Sequence, residues 1–346
     1  MLCLHEDLLS DTRDLSIKTL DRFSFRSIYP SIPYICIRCS NSSEEEVKKY
    51  LKAGSIASSV MREAISMIRP GKLIYEIAEK IESRITELGG RPAFPVNISI
   101  ANEAAHYTPV IRDPKKIPES GVVKIDLGVH VDGYIADMAR SVDLDGRFER
   151  LVRAVEDTLE RAIERISVGV PAREVGRIIE ATARSHGFKV VKNLSGHKME
   201  RYNLHAGYNV PNFSDPLVFW KFTNGSAYAI EPFLTTGSGM VSEDRKVVTI
   251  YSLRSLKGSL DERSREILSI VERRFSKLPF CGRWIKDVHP DPDGILRELY
   301  SRRILHGYPV LLDIPGSQVA QAEDTIVIFE GQVIVTTREG SSFRTM

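Results

Sequence analysis

The chain has 346 residues, 42% of them hydrophobic and 27% charged, with a formal net charge of +2 at pH 7. That length can bury a large core, and the balanced charge gives no global reason to expect nucleic acid or a membrane surface as partner. No apolar run reaches the roughly 18 residues that a membrane-spanning helix needs, and the early Glu6 and Asp7 do not suit a secretory signal, so a cytoplasmic location is expected.

Residues 1–43 show no sustained periodicity and read as a poorly ordered extension. Cys36 and Cys39 form a C-x-x-C there, without the second pair that a structural zinc site usually needs. The polar run Ser40-Asn41-Ser42-Ser43 before Glu44-Glu45-Glu46 predicts a helix N-cap with acidic residues in the first turn. Val47, Leu51, Ile56, Val60, Ala64 and Ile68 then recur at helical spacing, until Arg69-Pro70-Gly71 stops the helix. A second helix is expected from Ile74 to Leu88, ended by Gly89-Gly90.

The same pattern returns 98 positions later. Ala64-Ile65, Ile68, Gly71, Glu76, Ile81-Glu82 and Gly89 match Ala162-Ile163, Ile166, Gly169, Glu174, Ile179-Glu180 and Gly187. One match would mean little, but eight at one offset indicate an internal duplication. Two similar halves facing each other would enclose a site between them.

A β-rich stretch follows the first helix pair, centred on a hairpin with Asp132-Gly133 as its two-residue turn. Later strands are expected at 227–233, 246–251, 325–329 and 332–337, and helices at 261–275 and 292–304. If Asp132 and Gly133 form the turn, Asp137 sits opposite Gly128, and Asp126 lies two residues along on the same face. Gly128 would then leave room between the two carboxylates. Buried aspartates are costly unless paired or metal-bound, although solvated strand positions remain open for this pair alone.

Other segments shift that balance. Ser195-Gly196-His197, Ala229-Ile230-Glu231-Pro232 and Gln321-Ala322-Glu323-Asp324 place one histidine and two glutamates in or beside apolar strands. Together with the aspartates they form a mixed nitrogen and oxygen set suited to two divalent ions. His106 and His205 stand 99 positions apart, almost the repeat offset, so the duplication would place them at equivalent points of the two halves. There they could donate hydrogen bonds to a substrate carbonyl and its developing oxyanion.

These segments resemble the type 2 methionine aminopeptidases in their archaeal-like form. The resemblance runs from about residue 44 to the C-terminus. It is carried by Ala93-Phe94-Pro95, Asn102 to Pro109, the Asp126 hairpin, His205-Ala206-Gly207 with Val210-Pro211-Asn212, Ala229 to Phe233, Gly316-Ser317 and Ala320 to Glu323. It implies an α+β pita-bread fold: two pseudo-symmetric halves, with antiparallel sheet flanked by helices. The catalytic domain would span 44–249 and 307–346. A helical, winged-helix-like insertion would occupy 250–306, the mark of type 2.

The implied reaction is removal of the N-terminal methionine from peptides and nascent chains by water activated between two divalent metal ions, of Co, Mn, Fe or Zn. Asp126 would hold one ion, His197 and Glu231 the other, and Asp137 and Glu323 would bridge. Glu231 would shuttle a proton, His106 and His205 would position and polarise the substrate, and Phe94, Leu204 and Tyr308 would line the methionine pocket. A monomer working transiently near the ribosome is implied, with no direct nucleic-acid or membrane binding.

Two positions depart from the family's pattern. Asp324 stands where it usually has His, either beside the metal site or facing solvent, and Lys198-Met199 replaces Ser-Ile. The alternatives are an Xaa-Pro peptidase of the prolidase or aminopeptidase P kind, which would lack the long insertion, and a non-catalytic pita-bread protein that binds ribosome or RNA, which would have lost ligands.

Overall fold

The computed structural model describes residues 43–254 and 261–341, so the expected extension and its C-x-x-C lie outside the described residues, save Ser43. Helix α1 (Glu44–Met67) starts where the acidic run predicts. The Ser43 hydroxyl accepts the Glu46 N–H at 3.3 Å, and the Glu46 carboxylate accepts the Ser43 N–H at 2.9 Å, so two orphan donors are satisfied reciprocally. Helix α2 (Ile74–Glu87) follows. The apolar faces of both helices pack on a three-stranded antiparallel sheet, β1 (Arg91–Ile100), β3 (Val122–Val131) and β4 (Tyr134–Asp143), while β2 (Glu103–Ala105) leaves to another sheet. The hairpin β3–β4 has the expected register, with Gly128 opposite Asp137 and Asp126 opposite Ala139. Asp132 and Gly133 have φ of 51° and 87°, the positive values such a tight turn demands.

The second half repeats this plan. Helix α3 (Glu149–Glu164) precedes α4 (Ala172–Ser185), which begins and ends 98 residues after α2. Then come β5 (Lys189–Val190), β6 (Ser195–Met199), β7 (Asn209–Pro211), β8 (Ser226–Ile230), β9 (Phe233–Thr235) and β10 (Ser242–Leu253). Next are α5 (Glu262–Phe275), β11 (Phe280–Cys281), a 3-10 turn (Gly282–Ile285) and α6 (Pro292–Ser301). The chain closes with β12 (Leu305–Leu312), β13 (Val319–Gln321), β14 (Asp324–Phe329) and β15 (Gln332–Val335). The second large sheet has the order β15-β14-β8-β6-β7, and its core is shared with α3 and α4.

Segment 250–306 opens inside β10 and closes inside β12, and these two strands pair with each other in the sheet β11-β10-β12-β2. It carries its own apolar cluster, which includes Ile267, Val271, Ile285, Leu296 and Leu299.

Four boundaries differ from the sequence expectation. The strand expected at 227–233 breaks into β8 and β9 because Pro232 has no N–H to donate to a ladder. Glu231 therefore sits in the break, not within a strand. Strand β10 extends back to Ser242 through the polar Glu243-Asp244-Arg245-Lys246, whose pairing depends on its neighbour β12 and leaves no hydrophobic signal. Helix α6 stops at Ser301, and the backbone turns left-handed at Arg303, with φ of 60°. Strand β15 stops at Val335, where Thr336 and Thr337 turn to bond β14.

Candidate metal centre

The three-stranded sheet of the first half and the five-stranded sheet of the second meet along β4 and β14. Ala139 and Glu323 exchange backbone hydrogen bonds of 3.3 and 2.9 Å across this seam. The Thr325 hydroxyl accepts the Asp137 N–H at 2.7 Å and donates to the Asp137 carbonyl at 2.9 Å. Around the seam, β3 presents Asp126, β4 Asp137 and β6 His197, while Glu231 follows β8 and Glu323 precedes β14. All five residues border one cavity of about 220 Å³.

The geometry is tight. His197 Nε2 lies 3.6 Å from Asp137 Oδ2 and 3.5 Å from Glu231 Oε1. One ligand atom each from Asp137, His197 and Glu323 can be chosen so that all lie within 4.8 Å of one another, and all three residues are buried. The Gln321 amide lies 3.3 Å from both Glu231 Oε2 and Glu323 Oε2. The Asn97 amide lies 3.4 Å from Asp126 Oδ2.

So many carboxylates in one buried place cannot all be charged without a cation. Burial pushes the Asp126 carboxyl up to about 7. Asp137, Glu231 and Glu323 are raised well above the usual carboxylate range, first by burial and then by the charge of neighbouring carboxylates, Asp126 among them. Asp126 Oδ1, Asp137 Oδ1 and Glu323 Oε1 are buried and accept no hydrogen bond among the described residues. Buried anionic oxygens of this kind are explained by metal coordination. The site therefore fits divalent cations: oxygen-rich, with one imidazole that burial keeps neutral and available as a ligand.

One wall of the cavity is apolar. Phe94, Leu204 and Tyr308 border it, together with Ile250 and Pro279 from segment 250–306. Gly128 leaves room here, though not between the carboxylates as the sequence suggests. A Cβ at Gly128 would lie 2.3 Å from Phe94 Cε1, so the glycine makes space for the Phe94 ring.

His106 and His205 both reach the cavity, flanking Tyr308 at ring-centroid distances of 5.7 and 6.2 Å. His205 also packs edge-on to His197 at 4.5 Å, and burial drives its imidazole down to about 4. His106 holds a left-handed backbone, with φ of 69°, a strained conformation of a kind that clusters at functional sites. Its Nδ1 lies 3.1 Å from the Pro309 carbonyl, which can only accept. Nδ1 therefore carries the proton, and because burial favours the neutral ring, Nε2 is an acceptor. The expectation that His106 donates to the substrate is changed on this point.

Of the two departures, Asp324 does not face solvent. It is fully buried, pairs with Arg140 at 2.9 Å and Arg338 at 3.0 Å, and accepts the Thr337 hydroxyl at 2.8 Å. Lys198 points outward to Glu200 at 3.3 Å, and Met199 is core.

Asn97, Asn193, Ile250 and the role of Gln321 escape a sequence reading. Gln321 alone left a usable signal, since it precedes Glu323 by two residues and so shares its face.

The sequence profile of Metallopeptidase family M24 matches residues 48–251. A methionine aminopeptidase of Pyrococcus horikoshii is 43% identical over 294 residues, covering 84% of this chain and 99% of that protein. One of Saccharolobus solfataricus is 41% identical over 301 residues, covering 86% of this chain and 99% of that protein. A solved methionine aminopeptidase of Thermotoga maritima superposes with a TM-score of 0.63 at 23% identity, covering 87% of this chain and 99% of that one. The architecture is the pita-bread fold.

Proposed function

The chain belongs to metallopeptidase family M24, and from that membership and its methionine aminopeptidase relatives we infer that it is a metal-dependent hydrolase that removes the N-terminal methionine from peptides. The observation that carries this reading is the set of four carboxylates and one imidazole around one cavity, with Asp137, Glu323 and His197 buried and three carboxylate oxygens unpartnered among the described residues, beside apolar side chains. It is a type 2 enzyme, a reading supported by the folded segment 250–306 between Glu231 and Glu323. It works as a monomer in the cytoplasm, on nascent chains near the ribosome. No described helix is long and apolar enough to cross a membrane.

Asp126, Asp137, His197, Glu231 and Glu323 would hold two divalent ions. When bound, such ions polarise the scissile carbonyl and make water acidic enough to be a nucleophile near neutral pH. The protein's own groups do the rest. Glu231 takes the proton of the attacking water and passes it to the leaving amine nitrogen. His106 Nε2 accepts a hydrogen bond from a substrate N–H, an assignment that follows from the Nδ1–H bond to Pro309. His205 polarises the scissile carbonyl. Phe94, Leu204 and Tyr308 receive the methionine side chain.

The test is a peptide assay on apo protein reconstituted with Co, Mn, Fe or Zn. Release of methionine from Met-Ala-Ser, with Xaa-Pro peptides left intact, is expected. Cleavage of Xaa-Pro without methionine release would overturn the assignment.

A further inference from the structure

Asp324 lies next to a metal-site glutamate yet is turned away from it. In an extended strand, adjacent side chains leave opposite faces. Glu323 faces the cavity, and Asp324 faces two arginines. Its Oδ1 accepts Arg140 Nη2 at 2.9 Å and the Thr337 hydroxyl at 2.8 Å. Its Oδ2 accepts Arg338 Nε at 3.1 Å and Nη2 at 3.0 Å. With that many charge-assisted partners, the aspartate needs no metal to satisfy it.

Arg140 does more than neutralise Asp324. Its Nη1 donates to the Glu323 carbonyl at 2.6 Å and to its neighbour's, Ala139, at 2.8 Å. One guanidinium thus grips both strands of the seam, three residues from Asp137 on β4 and at Glu323 itself beside β14. Arg338 braces the other side of Asp324 and is itself held by Glu160 of α3 at 2.7 Å. The planar fork of arginine is what allows one side chain to serve two carbonyls and a carboxylate at once.

We propose that Arg140, anchored by Asp324, is a positioning residue that fixes the Glu323 backbone against β4 and so sets the spacing of Glu323 and Asp137 around the cations they would hold. This rests on Glu323 being a metal ligand, as inferred above. Asp324 is then the counter-charge that lets Arg140 occupy a mostly buried position, not a further ligand.

Calorimetric titration of Mn(II) into apo protein tests this. The parent protein is expected to take up two ions; if it takes up none, the ligand assignment fails, and not merely the clamp. Arg140→Met is expected to weaken at least one of the two binding steps by about 10–100-fold, the size of effect seen when a group behind a ligand is removed. Arg140→Lys, which keeps the charge and some of the donors, recovers part of the loss. Arg338→Gln leaves both steps within a few-fold of the parent. If Arg140→Met melts at lower temperature but binds Mn(II) as the parent does, the clamp is merely structural and the proposal is wrong. Should Arg140→Met fail to fold, Asp324→Asn removes the anchor and keeps its shape. Weakened Mn(II) binding there supports the proposal, and unchanged binding overturns it.

Discussion

Arg283 and Glu82 form a two-pronged ion pair, Nη1 to Oε2 at 2.6 Å and Nη2 to Oε1 at 2.7 Å, with the arginine fully buried. The same guanidinium donates to the Pro109 carbonyl at 2.8 Å and the Thr108 hydroxyl at 2.9 Å. Segment 250–306 is thereby locked to α2 and to the loop that carries His106. Removing one partner of a buried pair strands the other charge. Arg283→Met should therefore cost about 3–5 kcal/mol in denaturant melts. Glu180, the counterpart of Glu82 in the duplication, has only loose partners among the described residues, Arg184 at 3.6 Å and Lys192 at 3.4 Å, the lysine half exposed. Glu180→Gln should change stability by less than about 1 kcal/mol. Equal losses in the two variants would show that the buried pair is not special.

The ligand residues and the substrate residues should separate in the laboratory. Asp126→Ala and Glu231→Ala are expected to lose bound metal and activity together. His106→Ala should keep its metal and lose about 10²–10⁴ in kcat, the usual worth of a positioned acid–base or hydrogen-bonding group. Metal analysis beside steady-state kinetics reads both, and wild-type turnover in His106→Ala would remove that residue from the reaction.

The apo protein should carry a pH-dependent penalty at its centre. Glu323 is raised by burial and by neighbouring carboxylates, so in folded apo protein it keeps a proton that the unfolded chain releases above about its ordinary 4.5. The unfolded state then binds fewer protons, and stability falls as pH rises toward the folded value, by at most about 1.4 kcal/mol per pH unit for this one group. His106, His197 and His205 are lowered by burial, and Lys124 is lowered to about 7, so all of them push the other way. Comparison with Glu323→Gln cancels their contribution. The apo variant should gain on the apo parent as pH rises above about 5. A constant gap across that range would mean Glu323 ionises normally.

Gly128→Ala should act on substrate before it acts on metal. The new methyl group meets the Phe94 ring, which lines the apolar wall, and must push it toward the cavity. Overpacking of this size costs about 1–3 kcal/mol. A raised KM for methionyl peptides, with Mn(II) binding unchanged, is the expected pattern. An unchanged KM would show that Phe94 can move without narrowing the pocket.

Much of this arrangement was legible in the residues. The Asp132-Gly133 turn set the register of Asp126 and Asp137, because a two-residue hairpin allows only one pairing. The offset of 98 held to the residue at both ends of α2 and α4, since each helix pair is bounded by its own glycines. What stayed hidden depends on partners far along the chain. Asn97 meets Asp126 only because β1 pairs with β3. The polar start of β10 is a strand only beside β12. Asp324 read as exposed or metal-facing because nothing near it in sequence announces Arg140.

The seam between β4 and β14 has a consequence for assembly. Asp137 and Glu323 come from the two different halves of the chain, so a cation held by both would join segments far apart in sequence. It ties together two halves that each have a core of their own. The unfolded chain does not bring these ligands together, so the ions bind the folded state and stabilise it by mass action. Metal present at a hundred times its dissociation constant would add about 2.7 kcal/mol to folding. Bound metal would thus staple the duplicated halves at the same point where the chemistry is proposed to occur.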